Sequence, residues 1–222
     1  MADGDIVYGR RPVEEAERGR RKVRQVWRAP QTAADELTRI AGSPDHQGVV
    51  AAVDPFPYAD ATQLLATPGS LIVALDQVQD PHNLGAVART AEVAGATGLV
   101  IPSRRSASVT AAVAKASAGA VEHLPIAQVT NLADWLLRAK EAGAWIYGAD
   151  AAAKTSYADA DLTGKVVLVL GSEGAGLRRL VAERCDVLVS IPVRGRVDSL
   201  NVSASAAVLL FEAARQRGVR QP

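Results

Sequence analysis

Pro192-Val193-Arg194-Gly195-Arg196-Val197-Asp198-Ser199-Leu200-Asn201-Val202-Ser203 links an apolar strand, Val187 to Ile191, to a long Ala/Leu-rich helix from about Asn201 to Arg217. A short apolar run, a small polar turn and then helical spacing mark a strand-to-helix joint. Ser199 and Asn201 stand two apart, so on an extended backbone their side chains point the same way. Small polar groups aimed together beyond the carboxyl end of a strand are how an open α/β sheet holds a ligand. Equivalent joints lie around Asn83 and Glu173.

Outward from this stretch the same alternation repeats. Leu71 to Leu75, Gly98 to Ile101, His123 to Val129, Ala144 to Tyr147 and Val166 to Leu170 read as extended segments. Several are continuous apolar runs, as expected of strands covered on both faces. Between them Leu84, Val87, Ala88, Ala91 and Ala94 recur at helical spacing, with Gly95 as the stop. Ser108 to Ala118 is Ala-rich and helical, and Asn131 caps a helix running to Ala142. The pattern predicts a mostly parallel sheet with helices on both faces.

The first part of the chain differs. It holds a basic helix, a second helical stretch from Gln31 to Ala41, and an apolar strand around Gly48 to Val53. Asp54-Pro55-Phe56-Pro57-Tyr58-Ala59-Asp60 follows, and its two prolines and flanking acids read as a linker. We therefore divide the chain into a small module (1–58), a linker (59–69) and a larger α/β domain (70–222).

Apolar residues make up 48% of the chain and aromatics only 4%, so the core must be built from Ala, Val, Leu and Ile. The formal net charge is +1, and the overall field says little about partners. Its distribution says more. Arg10, Arg11, Arg18, Arg20, Arg21, Lys22, Arg24 and Arg28 face only Glu14, Glu15 and Glu17. That cluster suits a polyanion, or else a solvated helix face carrying pairs such as Glu14–Arg18 and Glu17–Arg21. Cys185 is the single cysteine, which excludes an intrachain disulfide and fits a reducing compartment. No apolar run approaches the roughly 20 residues that span a bilayer, and the start lacks a signal-peptide core. The expected location is cytoplasmic.

The first joint, Leu75 through Arg89, offers Asp80 or Asn83 as a helix cap and a bare helical turn at Gly85. Arg89 lies four residues further on the same face, where it can bind phosphate or pair with Glu92. The second joint, Leu170-Gly171-Ser172-Glu173-Gly174-Ala175-Gly176-Leu177, lets a ligand press against backbone. Its glycine spacing is not that of a dinucleotide fingerprint, and it lacks the Lys-Ser/Thr ending of a P-loop. An acidic Glu173 suits a cationic or hydroxyl-bearing ligand better than a pyrophosphate. His46, His82 and His123 lie far apart with no ligand spacing, so no metal site is expected.

Together these residues resemble the SpoU/TrmH family of RNA ribose 2′-O-methyltransferases in the SPOUT superfamily. The matching stretches are Asp80-Pro81-His82-Asn83-Leu84-Gly85-Ala86 through Arg89, then Gly171 to Leu177, then Ile191-Pro192 through Ser199-Leu200-Asn201-Val202-Ser203. Order and spacing follow all three family motifs. The resemblance implies an α/β domain with a C-terminal deep trefoil knot, S-adenosylmethionine as cofactor, an RNA substrate and a homodimer. It places Gly171, Ile191 and Leu200 at the cofactor, with the segment near Ala149 closing over the adenine. It gives Arg89, Asn83, Glu173, Ser199 and Asn201 to catalysis. Tyr8-Gly9-Arg10-Arg11-Pro12-Val13 and Asp45 to Ala51 look like parts of a ribosomal-L30e-like module, shortened between Trp27 and Ala33. That module is typical of the bacterial subgroup acting on guanosine in large-subunit ribosomal RNA. Asp198 stands where many members carry a small polar residue.

A guanidinium is normally always charged, so Arg89 is expected to bind phosphate and stabilise a developing alkoxide rather than act as a base. Transfer RNA is the alternative substrate. A non-catalytic RNA-binding protein and a nucleotide-dependent oxidoreductase are the readings from other classes. The intact polar set argues against the first, and the glycine spacing against the second.

Overall fold

The computed structural model of the chain describes residues 4–172 and 174–218. The N-terminal part is built from β1 (Asp5–Tyr8), α1 (Arg10–Arg18), β2 (Val23–Arg28), α2 (Ala34–Ala41) and β3 (Val49–Val53). Its strands form an antiparallel sheet in the order β1-β3-β2. The apolar β3 lies in the middle and is buried along its whole length.

The basic segment is therefore not one helix. It turns at Gly19, where a side chain would collide with the Glu122 Cβ at 2.6 Å and the Glu15 carbonyl at 2.9 Å. The remaining cations continue onto the connector and β2. The expected Glu14–Arg18 and Glu17–Arg21 pairs give way to others. Arg18 meets Glu15 at 3.6 Å, and Glu17 reaches across to Arg28 at 2.9 Å. Arg21 goes inward, to Glu122 and to Asp5. This difference was hidden in the sequence because the partners of Arg21 are sixteen and about a hundred positions away.

The larger sheet comprises β4 (Leu71–Asp76), β5 (Gly98–Pro102), β6 (Ile126–Val129), β7 (Trp145–Ala149), β8 (Thr155–Ser156), β9 (Val166–Gly171) and β10 (Val187–Ser190). Its order is β6-β5-β4-β9-β7-β10-β8, and every neighbouring pair is parallel. The helices are α3 (Pro81–Val93), α4 (Ala111–Ala116), α5 (Leu132–Glu141), α6 (Arg179–Arg184) and α7 (Val202–Gln216). Two short elements, β8 and α6, carry too few residues to show a period in sequence.

The alternation of side chains along β4 divides the core in two. Leu71, Val73 and Leu75 join Leu84 and Val87 of α3, Val113 of α4 and Leu209 of α7 on one face. Ile72 and Ala74 join Leu132 and Leu136 of α5 and Val181 of α6 on the other. The first of these cores also takes in Val7, Val13, Ala16, Ala51 and Val53, so the N-terminal part packs directly against the α/β layer. Residues 54–69 are not a free tether either. Phe56, Leu64 and Leu65 are buried, and the Asp5 carboxylate accepts a hydrogen bond from the Phe56 N–H at 3.0 Å.

The end of α7 is fixed as well. Arg217 donates to the carbonyls of Leu162 (2.8 Å), Gly69 (2.6 Å) and Gly164 (2.7 Å). Among the described residues no helix is long and apolar enough to cross a membrane.

The junction carries the first test. Arg21 and Glu122 are both almost fully buried, and Arg20 adds bonds to the carbonyls of Glu122 (3.2 Å) and Leu124 (2.8 Å). Arg21→Met leaves the Glu122 carboxylate buried without its partner and should lower unfolding free energy by about 3–5 kcal/mol in urea titrations. The double variant Arg21→Met/Glu122→Met should recover most of that loss.

Candidate active site

Parallel strands deliver all their carboxyl ends to one edge of the sheet. Along that edge the central strands β4, β9, β7 and β10 lie side by side. Each of the three polar joints of the sequence starts from one of them.

The second joint is a closed loop at the tip of β9. Ser172 and Gly176 exchange both backbone hydrogen bonds, at 3.1 and 3.0 Å. Gly174 and Gly176 adopt left-handed backbone, with φ of 77° and 65°, which explains two of the three glycines. The third, Gly171, is a matter of space. A Cβ there would stand 2.1 Å from the Gly176 carbonyl carbon and 2.5 Å from the Leu177 nitrogen.

Asp76, fully buried at the tip of β4, holds the end of this loop. Its carboxylate accepts from the Arg178 backbone N–H at 2.8 Å and from the Arg178 guanidinium Nε at 2.7 Å. Sequence reading gave Asp76 and Arg178 no role. An acid closing a wholly apolar strand was the one visible signal, since such a buried charge needs a partner.

The third joint, from Ile191 to Leu200, has no regular structure. It forms one wall of a cleft of about 380 Å³ whose other walls are the Gly171–Leu177 loop and the Ala149–Ala152 segment after β7. Gly171, Ile191, Leu200 and Ser199 all line it, as does Ala149. Asn201 does not. It caps α7, its Oδ1 accepting from the Ser203 N–H at 2.8 Å, and its Nδ2 donates to the Asn83 Oδ1 at 3.1 Å. Ser199 and Asn201 therefore part company instead of facing one way, because the cap turns Asn201 onto the helix axis.

Asn83 is buried on α3 and borders a second cavity of about 290 Å³, lined also by Gln77, Gln79 and Asp80. Asp80, not Asn83, caps α3, accepting from the His82 N–H at 2.8 Å. Ser172 and Val202 belong to both cavities, so the two compartments meet at these side chains. The arrangement can hold two ligands next to each other.

Other expected residues fall differently. The bare turn at Gly85 is filled by α4, since a Cβ there would lie 2.5 Å from that of Ala116. It serves helix packing, not ligand approach. Arg89 is exposed, borders neither cavity, and forms no ion pair with Glu92 among the described residues. Glu173 lies outside the described residues. His46 contacts Thr38 at 3.2 Å and His123 contacts Glu15 at 2.9 Å, and the described residues contain no cluster suited to a metal. Cys185 packs against Gly148 of β7, and burial pushes its thiol up to about 12, which keeps it a neutral packing group.

Fold and site define a doubly covered parallel α/β protein with adjoining ligand compartments at its carboxyl edge. Residues 70–211 match the SpoU rRNA methylase family. YacO of Bacillus subtilis (strain 168), provisionally named a TrmH family tRNA/rRNA methyltransferase, is 40% identical over 239 residues, covering 96% of each chain. The uncharacterised tRNA/rRNA methyltransferase slr0955 of Synechocystis sp. (strain PCC 6803) is 39% identical over 98% of this chain, which spans 64% of that protein's length. The crystal structure of the SpoU methyltransferase AviRb from Streptomyces viridochromogenes, in complex with the cofactor AdoMet, superposes with a TM-score of 0.81. It is 30% identical, and the match covers 96% of this chain and 90% of that one. The chain belongs to the SpoU/TrmH family of RNA methyltransferases.

The clamp at the loop is testable. Arg178→Ala removes the guanidinium from a buried carboxylate, and should lower stability by about 1–3 kcal/mol. Hydrogen–deuterium exchange should quicken in peptides covering 171–178 while those covering β5 and β6 stay unchanged.

Proposed function

We propose that the chain transfers a methyl group from S-adenosylmethionine to the ribose 2′-OH of a guanosine in large-subunit ribosomal RNA. The observation that carries this reading is the pair of cavities joined at Ser172 and Val202, walled by all three family motifs. Transfer between two bound molecules needs such adjacency, with the acceptor oxygen in line with the group it receives.

The larger cleft fits the cofactor on its own chemistry. Leu170, Val189, Ile191 and Leu200 offer an apolar slot for a flat base, and Gly171 lets the Gly176–Leu177 backbone close against the strand to form one wall of it. Asp150 and Asp198 line the same cleft, and among the described residues that line it there is no lysine or arginine to hold a pyrophosphate. An acidic, glycine-walled cleft suits a positively charged ligand and disfavours a dinucleotide. When bound, S-adenosylmethionine supplies a methyl group activated by its positive sulfur.

The second cavity then receives the nucleotide. Asn83 and Asn201, joined to each other, orient the ribose, and Ser199 lines the passage to the cofactor. Glu173 is proposed to fix the arginine or the substrate loop. Arg89 binds a phosphate and stabilises the oxygen as its proton leaves to phosphate, water or a neighbouring group. A guanidinium does this without giving up its own proton.

Arg89 stands exposed beside neither cavity, which supports completion of the site in a homodimer. Val93 and Phe211, both more than half exposed, lie on the packed helices α3 and α7 and supply apolar surface for that contact. The first 58 residues are proposed as the RNA-binding module, and their packing into the common core favours the ribosomal substrate over transfer RNA.

Labelled methyl from S-adenosylmethionine should appear in unmodified large-subunit ribosomal RNA and map to a guanosine 2′-oxygen. Labelling confined to transfer RNA would refute the substrate. Arg89→Lys should reduce single-turnover rate by about a hundredfold, with cofactor affinity unchanged, because an ammonium cannot grip phosphate bidentately. A near-wild-type rate would sink the proposed role of Arg89.

A further inference from the structure

The loop between β5 and α4, residues 103–109, leaves the sheet at the same carboxyl edge as the site and belongs to none of the three family motifs. It is tied down along its length. Ser103 N–H donates to the Val129 carbonyl at 2.9 Å, and Val109 N–H to the Tyr58 hydroxyl at 2.9 Å. In the middle, the Ser106 hydroxyl (3.1 Å) and the Ala107 N–H (2.9 Å) both donate to the Val78 carbonyl. Val78 is itself part of the wall of the second cavity, between Gln77 and Gln79. The loop is thus the backing of that wall.

Between these anchors Arg104 and Arg105 are exposed, and among the described residues neither makes a hydrogen bond or an ion pair. Nothing nearby in the chain neutralises them, since no Asp or Glu occurs from Val93 through Val121. Arg105 takes a left-handed backbone, φ 56°, as does Gln77 on the cavity wall, φ 60°. Non-glycine residues rarely adopt this conformation, and such positions gather at sites where geometry is imposed by function. Two guanidiniums without partners, held on a pinned loop behind a substrate cavity, are arranged for a polyanion.

Resting on the methyl-transfer reading above, we infer that Arg104 and Arg105 form a phosphate-binding rim of the second cavity, gripping RNA backbone phosphates next to the nucleotide that enters it. Each planar guanidinium can take a phosphate through two parallel N–H donors. The rim fixes the strand and leaves the chemistry to the motifs. It reads no base, so its contribution is to affinity and register.

The test compares the full chain with Arg104→Ala/Arg105→Ala. Transcribed, unmodified large-subunit ribosomal RNA and transfer RNA are titrated over a salt series, and cofactor affinity is measured by calorimetry. Losing two phosphate contacts should flatten the slope of log K against log salt by about 1.5, at roughly 0.7–0.9 per contact. The KM for the accepting RNA should rise about tenfold, with kcat at saturating RNA and cofactor affinity within about twofold of wild type. Arg104→Lys/Arg105→Lys should restore the slope, because charge is kept, while recovering KM only in part. An unchanged slope and KM would overturn the inference, as would a change in cofactor affinity with RNA binding intact. If the wild-type chain methylates neither RNA, the methyl-transfer reading fails. The salt slope still judges the rim in that event, since it needs no turnover.

Discussion

Every strand of the seven-stranded sheet runs in one direction, and that constraint gathers chemistry from distant parts of the chain. Parallel strands cannot be joined by tight hairpins, so each must be followed by a crossover that begins at the same edge. Residues near 80, 150, 172 and 191 thereby become neighbours although they span about half of the sequence. The apolar strands supply this edge with a rigid base, and each joint is free to carry small polar residues. The cavities lie where β4, β9, β7 and β10 end because those four are adjacent in the sheet.

Holding the joints in place demands specific polar contacts, and the chain uses a different one for each. Asp80 starts α3 and Asn201 starts α7, each by accepting a backbone N–H of the first turn. Helix α6, which follows the Gly171–Leu177 loop, has no side-chain cap from Arg178, and Asp76 instead closes the loop from beneath through Arg178. A carboxylate removed from water requires that partner, so the clamp is strong only while both ends are present. The Asn83–Asn201 bond then ties the first joint to the third. What the sequence presents as three separate motifs is one bonded framework around two cavities.

Much of this was legible because it rests on local period. The continuous apolar runs located β4, β5, β7, β9 and β10, and the helix spacing of Leu84 to Ala94 located α3. The groups lining the larger cleft, Gly171, Ile191, Ser199 and Leu200, were identified through the motif resemblance, and the structure brings them together. What stayed hidden depends on contacts far apart in sequence. Gly85 looked like a landing surface because nothing local reveals that Ala116 sits on it. Arg20 and Arg21 looked like solvated charges because Glu122 lies a hundred positions on. Asp76 looked like the last residue of a strand, and only the folded loop shows what it holds.

The buried junction also bears on how the proposed substrate module would act. A substrate module on a flexible tether would raise the local concentration of RNA near the site without fixing its register. Here Val13 and Ala16 of α1 share a core with Val113 of α4, and Arg21 is locked to Glu122 just beyond α4. The same α4 begins where the Arg104–Arg105 loop ends. The packed helix α1, the arginine loop and the wall of the second cavity are thus carried on one continuous packed layer. A polyanion bound across them would meet a rigid template, with its distance from Asn83 set within the protein. With RNA held by the first module as proposed, register would come from shape and spacing, without base-specific contacts in the motifs themselves.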